Sequence, residues 1–357
     1  MELGQYFLDG NPDAVEFCPH DGFLNILAVS TYTLQEGDQP SRLGSISLFD
    51  VNGSSCSLDR IGSVETAGIF DIKWNPVGGG ASPLLAQADA DGCLRIHGLE
   101  CSSNGTSLTG LIISSTSEGA LLKESCGIHI SSSMCLCLDW NPSAMSLAVG
   151  LSDGSVSVAS LTESELIEDQ QWKDHDFEVW AASFDTHQQS ILYTGSDDCK
   201  FLGWDLRDGS PMPAFKNSKS HKMGICCIVK NPNDPYSLLT GSYDEHLRVW
   251  DVRSISKPVN ETSIGLGGGV WRIKYHPVIS GLVLAACMHN GFAIVKTTGE
   301  IPEVIETYDK HGSLAYGADW RRHSSDEEGK REGNVVATCS FYDRLVRAWI
   351  PESDIHA

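Results

Sequence analysis

Basic residues are scarce in this chain. Its 357 residues carry 25 Lys and Arg against 47 Asp and Glu, a formal charge of −22. Nucleic acid is held by cations that displace counterions from phosphates, and a field of this sign opposes the encounter. No nucleic-acid partner is expected; a cationic one is. Long apolar runs are missing too: stretches such as Leu282 to Met288 fall far short of the ~20 residues that cross a bilayer, so no membrane span is expected. The segment from Met1 to Asp13 holds three acidic residues and no apolar run, which argues against a secretory or transit peptide and for a cytoplasmic protein. The twelve cysteines include no C-x-x-C; the closest pairs are Cys135/Cys137 and Cys226/Cys227. No ligand spacing for a metal results, no cofactor is implied, and the cysteines read as reduced, buried small hydrophobes. Stretches of helical period are absent as well.

What is present is a repeat. An apolar strand ends in an aromatic or long side chain, often followed by Asn-Pro: Val15-Glu16-Phe17-Cys18-Pro19, Ile72-Lys73-Trp74-Asn75-Pro76, Leu138-Asp139-Trp140-Asn141-Pro142, Ala182-Ser183-Phe184-Asp185, Ile228-Val229-Lys230-Asn231-Pro232, Ile273-Lys274-Tyr275-His276-Pro277 and Ala318-Asp319-Trp320-Arg321. The landmarks at 17, 74, 140, 184, 230, 275 and 320 are spaced by 57, 66, 44, 46, 45 and 45 residues, against ~40–45 for a WD-type blade. Two copies also show the Asp turn and the Trp-Asp pair, in Asp198 to Trp204-Asp205 and in Asp244 to Trp250-Asp251. Short alternating strands between Gly, Asp and Asn turns complete the pattern. The expected fold is all-β, a single seven-bladed WD-repeat β-propeller over residues 1–357. Insertions near 36–42, 77–83, 101–133 and 323–333 read as solvated loops. In such a ring the landmark strand is innermost, and its start shares the top face with the Asp turns. Gln5 to Leu8 is the candidate strand for closing the last blade.

Catalytic-looking strings are few. Gly150-Leu-Ser-Asp-Gly154 matches a nucleophile elbow, but an elbow needs a strand leading into a helix, and here the string reads as a turn between strands. The run Gly265-Leu-Gly-Gly-Gly269 precedes a strand and reads as a tight top-face loop. His175, His221, Asp198, Asp244, Trp204 and Trp250 are explained as buried hydrogen-bonded networks of the repeat. His246, His289, Ser340 and Tyr342 are not, and they fall in or beside top-face turns. Four residues before each landmark stand Asp13, Phe70, Leu136, Trp180, Cys226, Trp271 and Tyr316. Read as an aromatic mouth with Glu178 beside it, this set suits a quaternary ammonium; read blandly, it is a hydrophobic plug.

The strings Thr240-Gly-Ser-Tyr-Asp-Glu-His246, Gly268-Gly-Val-Trp-Arg-Ile-Lys274, Leu284-Ala-Ala-Cys-Met-His-Asn-Gly-Phe292, Tyr316-Gly-Ala-Asp-Trp320 and Ala337-Thr-Cys-Ser-Phe-Tyr-Asp343 resemble the diphthine methyl ester hydrolase family, often labelled diphthine methyltransferase. Weaker likeness extends over nearly the whole chain. The resemblance implies hydrolysis of the methyl ester of methylated diphthine on elongation factor 2, releasing methanol in diphthamide biosynthesis, with no cofactor. Methylated diphthine carries a trimethylammonium group beside its ester. Two chemical routes are open. In one, His289 or His246 is the general base on a water and amides of residues 267–269 receive the oxyanion. In the other, Ser340, Ser242 or Cys287 is acylated. Trp180, Glu178, Trp271, Arg272, Tyr316 and Tyr342 are expected to hold the substrate, and the protein is expected to be a monomer. The competing reading is a propeller that only binds proteins as a scaffold or adaptor. If the negative charge draws in a basic partner, association with elongation factor 2 weakens as salt rises; a salt-independent affinity would reduce the charge to a solubility feature.

Overall fold

The computed structural model describes the chain apart from residues 38–39, 54–55, 78–81, 102–119, 164, 208, 210–211, 323–333, 354 and 356–357. Its strands form seven four-stranded antiparallel sheets, the blades of a propeller. The inner strands are Asn11–Phe17, Ile69–Trp74, Cys135–Trp140, Val179–Phe184, Ile225–Lys230, Arg272–Tyr275 and Ala315–Trp320. Every landmark is the last residue of one of them. Second strands such as Ile191–Ser196 and Val336–Ser340 are buried along their whole length, because neighbouring blades cover both faces. Their side chains are accordingly apolar or small.

Glu2–Phe7 pairs antiparallel with Leu345–Trp349, from Glu2↔Trp349 to Phe7↔Leu345, and so completes the last blade. The closing strand thus starts three residues before the expected Gln5. Arg347 donates to the Glu2 carboxylate at 2.9 Å, the Tyr308 hydroxyl donates to it at 3.0 Å, and the Tyr308 ring stacks on Trp349 at 4.0 Å.

Two of the expected insertions need correction. Around 36–42 the strands Ile26–Gln35 and Ser41–Asn52 pair out to Gln35↔Ser41, so this is a long hairpin of the first blade. Within 101–133, Ala120–His129 is the outer strand of the second blade, paired with Cys93–Cys101. Its mixed polar and apolar sequence suits an outer strand that is exposed on one face. Residues 102–119 of that insertion, most of 77–83 and all of 323–333 lie outside the described residues. The string Gly150 to Gly154 is indeed a turn, between Ser146–Leu151 and Ser155–Leu161.

Adjacent blades are stitched at their inner strands. The indole N–H of Trp74 donates to the Glu16 carbonyl at 3.1 Å, Trp140 to that of Lys73 at 3.0 Å, and Trp320 to that of Lys274 at 3.2 Å. Carboxylates make the complementary contact: Asp319 accepts from the Phe17 amide at 2.8 Å, Asp71 from Leu138 at 3.1 Å, and Asp139 from Phe184 at 2.8 Å. Cations on the channel wall balance them, with Lys73 2.9 Å from Asp139, Arg272 2.7 Å from Asp71, and Lys274 on Glu16. A buried carboxylate needs both partners, since an unpaired one is expensive to desolvate.

Within blades, the Trp204 indole donates to Thr194 at 2.9 Å, and Thr194 meets His175, whose other nitrogen faces Asp198 at 3.1 Å. Trp250, Thr240 and His221 repeat this, but Asp244 departs from the expected pattern. It takes a two-pronged contact from Arg248 at 2.8 and 2.7 Å, the stronger, charge-assisted alternative. Among the described cysteines none is in a disulfide; Cys18, Cys135, Cys137, Cys226, Cys227, Cys287 and Cys339 are buried, while Cys56 is exposed and Cys93, Cys126 and Cys199 are half-buried. Burial of all of them was expected; instead Cys56 and Cys199 sit in turns, Cys126 on an outer strand and Cys93 at the start of a third strand.

Trp74→Phe removes a buried inter-blade donor and ring volume together. It is expected to cost about 3 kcal/mol, read as a lower urea midpoint at unchanged slope.

Candidate functional site

The pairing between inner and second strand is interrupted at the same place in six blades, at Asp13 to Ala14, Phe70, Leu136, Trp180, Cys226 and Tyr316 to Gly317. A bulge re-aims the side chain it carries, here at the top end of the channel. In the remaining blade Trp271 occupies the equivalent place, its amide bonded to the Ala286 carbonyl ahead of the ladder. The position four before each landmark is therefore a mouth position by geometry.

Aromatic side chains at this mouth form a closed circuit. Tyr32 lies 4.9 Å from Phe70, Phe70 6.5 Å from Trp180, Trp180 5.3 Å from Trp271, Trp271 4.8 Å from Tyr316, Tyr316 5.3 Å from Phe341, and Phe341 5.0 Å from Tyr32, measured between ring centroids. Tyr243 packs on Trp271 from outside at 5.8 Å. Trp180, Trp271 and Tyr316 were expected here; Tyr32 and Phe341 were not. Neither occupies the repeating position: Tyr32 lies on the second strand of the first blade and Phe341 follows the second strand of the last.

Asp13 sits under this circuit. It is 2 % exposed, and the Trp271 indole donates to its carboxyl at 3.4 Å. Burial pushes it up to about 7, against the opposing charge of Arg272 and the Trp271 hydrogen bond, with Asp71 adding to the rise. Burial, and next the charge of Asp13, hold the phenols of Tyr32 and Tyr316 above the usual range. Arg272, expected to touch substrate, lies deeper and is taken by Asp71. Below the mouth a cavity of about 200 Å³ runs between Phe70, Trp180, Trp271, Asp71, Arg272 and Lys73. Glu178 stands at the rim, half-buried, its carbonyl receiving the Asp197 amide at 3.0 Å. Burial and then the Glu178 charge raise the Asp197 carboxyl.

A second pocket of about 420 Å³ opens on the top face between the last two blades, lined by His289, Asn290, Asp309, His311, Ser313 and Tyr342. Tyr342 is 70 % exposed and meets Phe341 edge-on at 5.0 Å, so the pocket adjoins the aromatic circuit. His289 is exposed, on a turn held by the Asn290 side chain, which donates to the Leu266 carbonyl at 2.7 Å. The glycine loop packs against this turn: a Cβ on Gly268 would stand 2.1 Å from the Cys287 carbonyl, so only glycine permits the approach. His246 is not part of this pocket. Its Nδ1 donates to the Asp244 carbonyl at 2.6 Å, leaving Nε2 as the acceptor, beside Gly265.

The three candidate nucleophiles are withdrawn into the scaffold. Ser340 is fully buried and bonds His311 Nδ1 at 2.6 Å and the Asp343 carboxylate at 2.6 Å, while Thr338 joins His311 to Trp349. This is a third copy of the His–Thr–Trp network, unforeseen because the signature Asp is replaced by Ser340 and Asp343 acting together. Burial lowers His311 to about 4 and keeps it neutral at pH 7. Ser242 is buried and donates to the Met223 carbonyl at 3.1 Å. Cys287 is buried, and burial raises its thiol to about 12, far from a thiolate at neutral pH. The structure thus corrects the expectation that Ser340, or its alternatives, could be acylated.

Comparison with known proteins follows the same lines. The model of the WD domain, G-beta repeat, matches residues 214–251, which join the outer strand of the fourth blade to three strands of the fifth. A Dictyostelium discoideum protein named diphthine methyltransferase homolog is 32% identical, covering 97% of this chain and 98% of its own. The diphthine methyltransferases of Mus musculus and Homo sapiens are 34% and 33% identical over 86% of this chain, covering 67% and 72% of theirs. Among solved structures, a chain of the mitotic checkpoint complex superposes with a TM-score of 0.71 at 16% identity, over 98% of this chain and 92% of its own. That likeness bears on the propeller fold alone.

Ser340→Ala breaks the link between His311 and Asp343 and is expected to cost ~1–3 kcal/mol of stability. Tyr342→Ala, at an exposed position, stays within ~0.5 kcal/mol. Parallel denaturant titrations decide; equal midpoints for both variants would refute the scaffold role of Ser340.

Proposed function

Because the chain belongs to the diphthine methyltransferase family of WD-repeat proteins, which places it in diphthamide biosynthesis, we propose that it hydrolyses the methyl ester of methylated diphthine on elongation factor 2. The observation that carries this reading is the aromatic circuit around the channel mouth. Methylated diphthine bears a trimethylammonium group, and each ring face offers it ~0.5–2 kcal/mol of cation–π attraction. The rim acids Glu178 and Asp197 and the net charge of −22 favour the same cationic group.

His289 is the general base in this proposal. It shares a pocket with Tyr342, which touches the circuit, and the glycine loop packs on its turn. Water attacks the ester carbonyl as His289 takes its proton. The carbonyl oxygen, now negative, is received by amides of residues 267–269, and its collapse expels methoxide, which leaves as methanol on protonation by the imidazolium. With the candidate nucleophiles buried, direct attack by water is favoured over an acyl-enzyme. The setting proposed is cytoplasmic, with elongation factor 2 as the protein partner and no cofactor.

Purified protein mixed with elongation factor 2 carrying methylated diphthine, with nothing added, is expected to release methanol. His289→Ala should lower kcat by ~10²–10⁴ with little change in KM, and His246→Ala should leave it near wild type. Full activity in both variants would sink the histidine base. Release only when other proteins are supplied would point to an adaptor instead.

A further inference from the structure

Of the buried carboxylates that line the channel, Asp13 stands apart. Asp71 is held by Arg272 and the Leu138 amide, Asp139 by Lys73 and the Phe184 amide, Asp319 by Lys274 and the Phe17 amide, and Glu16 by Lys274. Among the described residues the Asp13 carboxyl has one hydrogen-bond partner, the Trp271 indole at 3.4 Å, and it is 2 % exposed. The groups that face it are known from every side: Arg272 on the sixth blade, Asp71 on the second, Tyr32 on the first, Tyr316 and Cys339 on the last, and Tyr243 on the fifth. Arg272 is the one cation among them, and its guanidinium is already committed to Asp71. A carboxyl in this setting lacks a counter-ion of its own, and the Trp271 ring that donates to it belongs to the circuit, whose faces attract cations.

We propose that Asp13 and the aromatic circuit form one binding site for an organic cation, in which the incoming quaternary ammonium supplies the counter-ion that Asp13 lacks. The cation displaces the Asp13 proton to solvent, so that binding is coupled to release of one proton. Free Asp13, pushed up to about 7, is largely protonated at pH 6 and largely ionised at pH 8. The complex requires the ionised form. Affinity therefore rises with pH up to about 7 and levels off above it, an increase of about tenfold between pH 6 and pH 8. This inference rests on the reading of the circuit as the trimethylammonium subsite, and adds its charge partner and its pH dependence.

Tetramethylammonium is the probe, with isothermal titration of the full chain at pH 6 and pH 8 in buffers of different ionisation enthalpy. The expected result is tighter binding at pH 8 by about tenfold, with close to one proton released at pH 6. Asp13→Asn should bind more weakly at pH 8 and lose the difference between the two pH values. Trp180→Ala should weaken binding at least threefold at both while keeping the ratio. Absence of binding, or an affinity of the wild type that does not change with pH, overturns the proposal, and neither result depends on the variants folding. Proton-coupled binding without methanol release would remove the hydrolase reading and leave the cation site; methanol release with pH-independent probe binding would do the reverse.

Discussion

The ring stands on the contacts between neighbouring inner strands, where an indole N–H reaches one blade's carbonyl and a carboxylate reaches the next blade's amide. Such contacts join the first blade to the second, the second to the third, the third to the fourth, the sixth to the seventh and the seventh to the first, and with the apolar faces packed between neighbours they fix the blades in the ring. The same contacts allocate the channel's charges. Asp71, Asp139 and Asp319 are spent on the backbone and on cations of the wall, and that leaves Asp13 as the acid whose charge is not balanced locally. Structure and chemistry therefore draw on acids of the same set of inner strands.

A propeller suits a small cationic group on a large protein because its mouth gathers side chains far apart in sequence. The circuit runs from Tyr32 through Trp180 to Phe341, and its members come from five blades. Five blades set the orientation of the rings by rigid sheet geometry, so little ordering is left to do when a ligand arrives, and pre-organisation of this kind lowers the cost of binding. The exposed His289 turn and Tyr342 lie outside that rigid circuit. The site thus joins a fixed cation seat to a more accessible polar pocket.

Much of this was legible in the sequence. The seven landmarks mark the ends of inner strands because the latch needs a large or hydrogen-bonding side chain at that place in each copy. Counting back four residues located Trp180, Trp271, Tyr316, Phe70 and Asp13 at the mouth, since the bulge recurs at a constant distance from the landmark. Tyr32 and Phe341 escaped because they reach the circuit from second strands, where no repeated spacing marks them. Ser340 looked like a free hydroxyl in a turn. Its partner His311 stands 29 residues earlier, and only the folded blade shows the two sharing a proton. Ala120–His129 looked like loop because it falls in a stretch rich in Ser and Gly, and Asp244 changed partner because Arg248, four residues on along the third strand, lies within reach.

Closure of the last blade has a consequence in time. Glu2–Phe7 is synthesised well before Leu345–Trp349, yet the two are hydrogen-bonded neighbours. The earlier strand must wait, unpaired, until the blades between the two have been made, and a loop of that length carries a closure entropy that only the completed ring offsets. An unpaired strand edge is also an aggregation hazard. The circuit above Asp13 spans the same seam, because Tyr316 and Phe341 of the last blade meet Tyr32 of the first across it. A growing chain therefore has no seat for a cation until the first and last blades have met, and the capacity to bind ligand appears together with the closed ring.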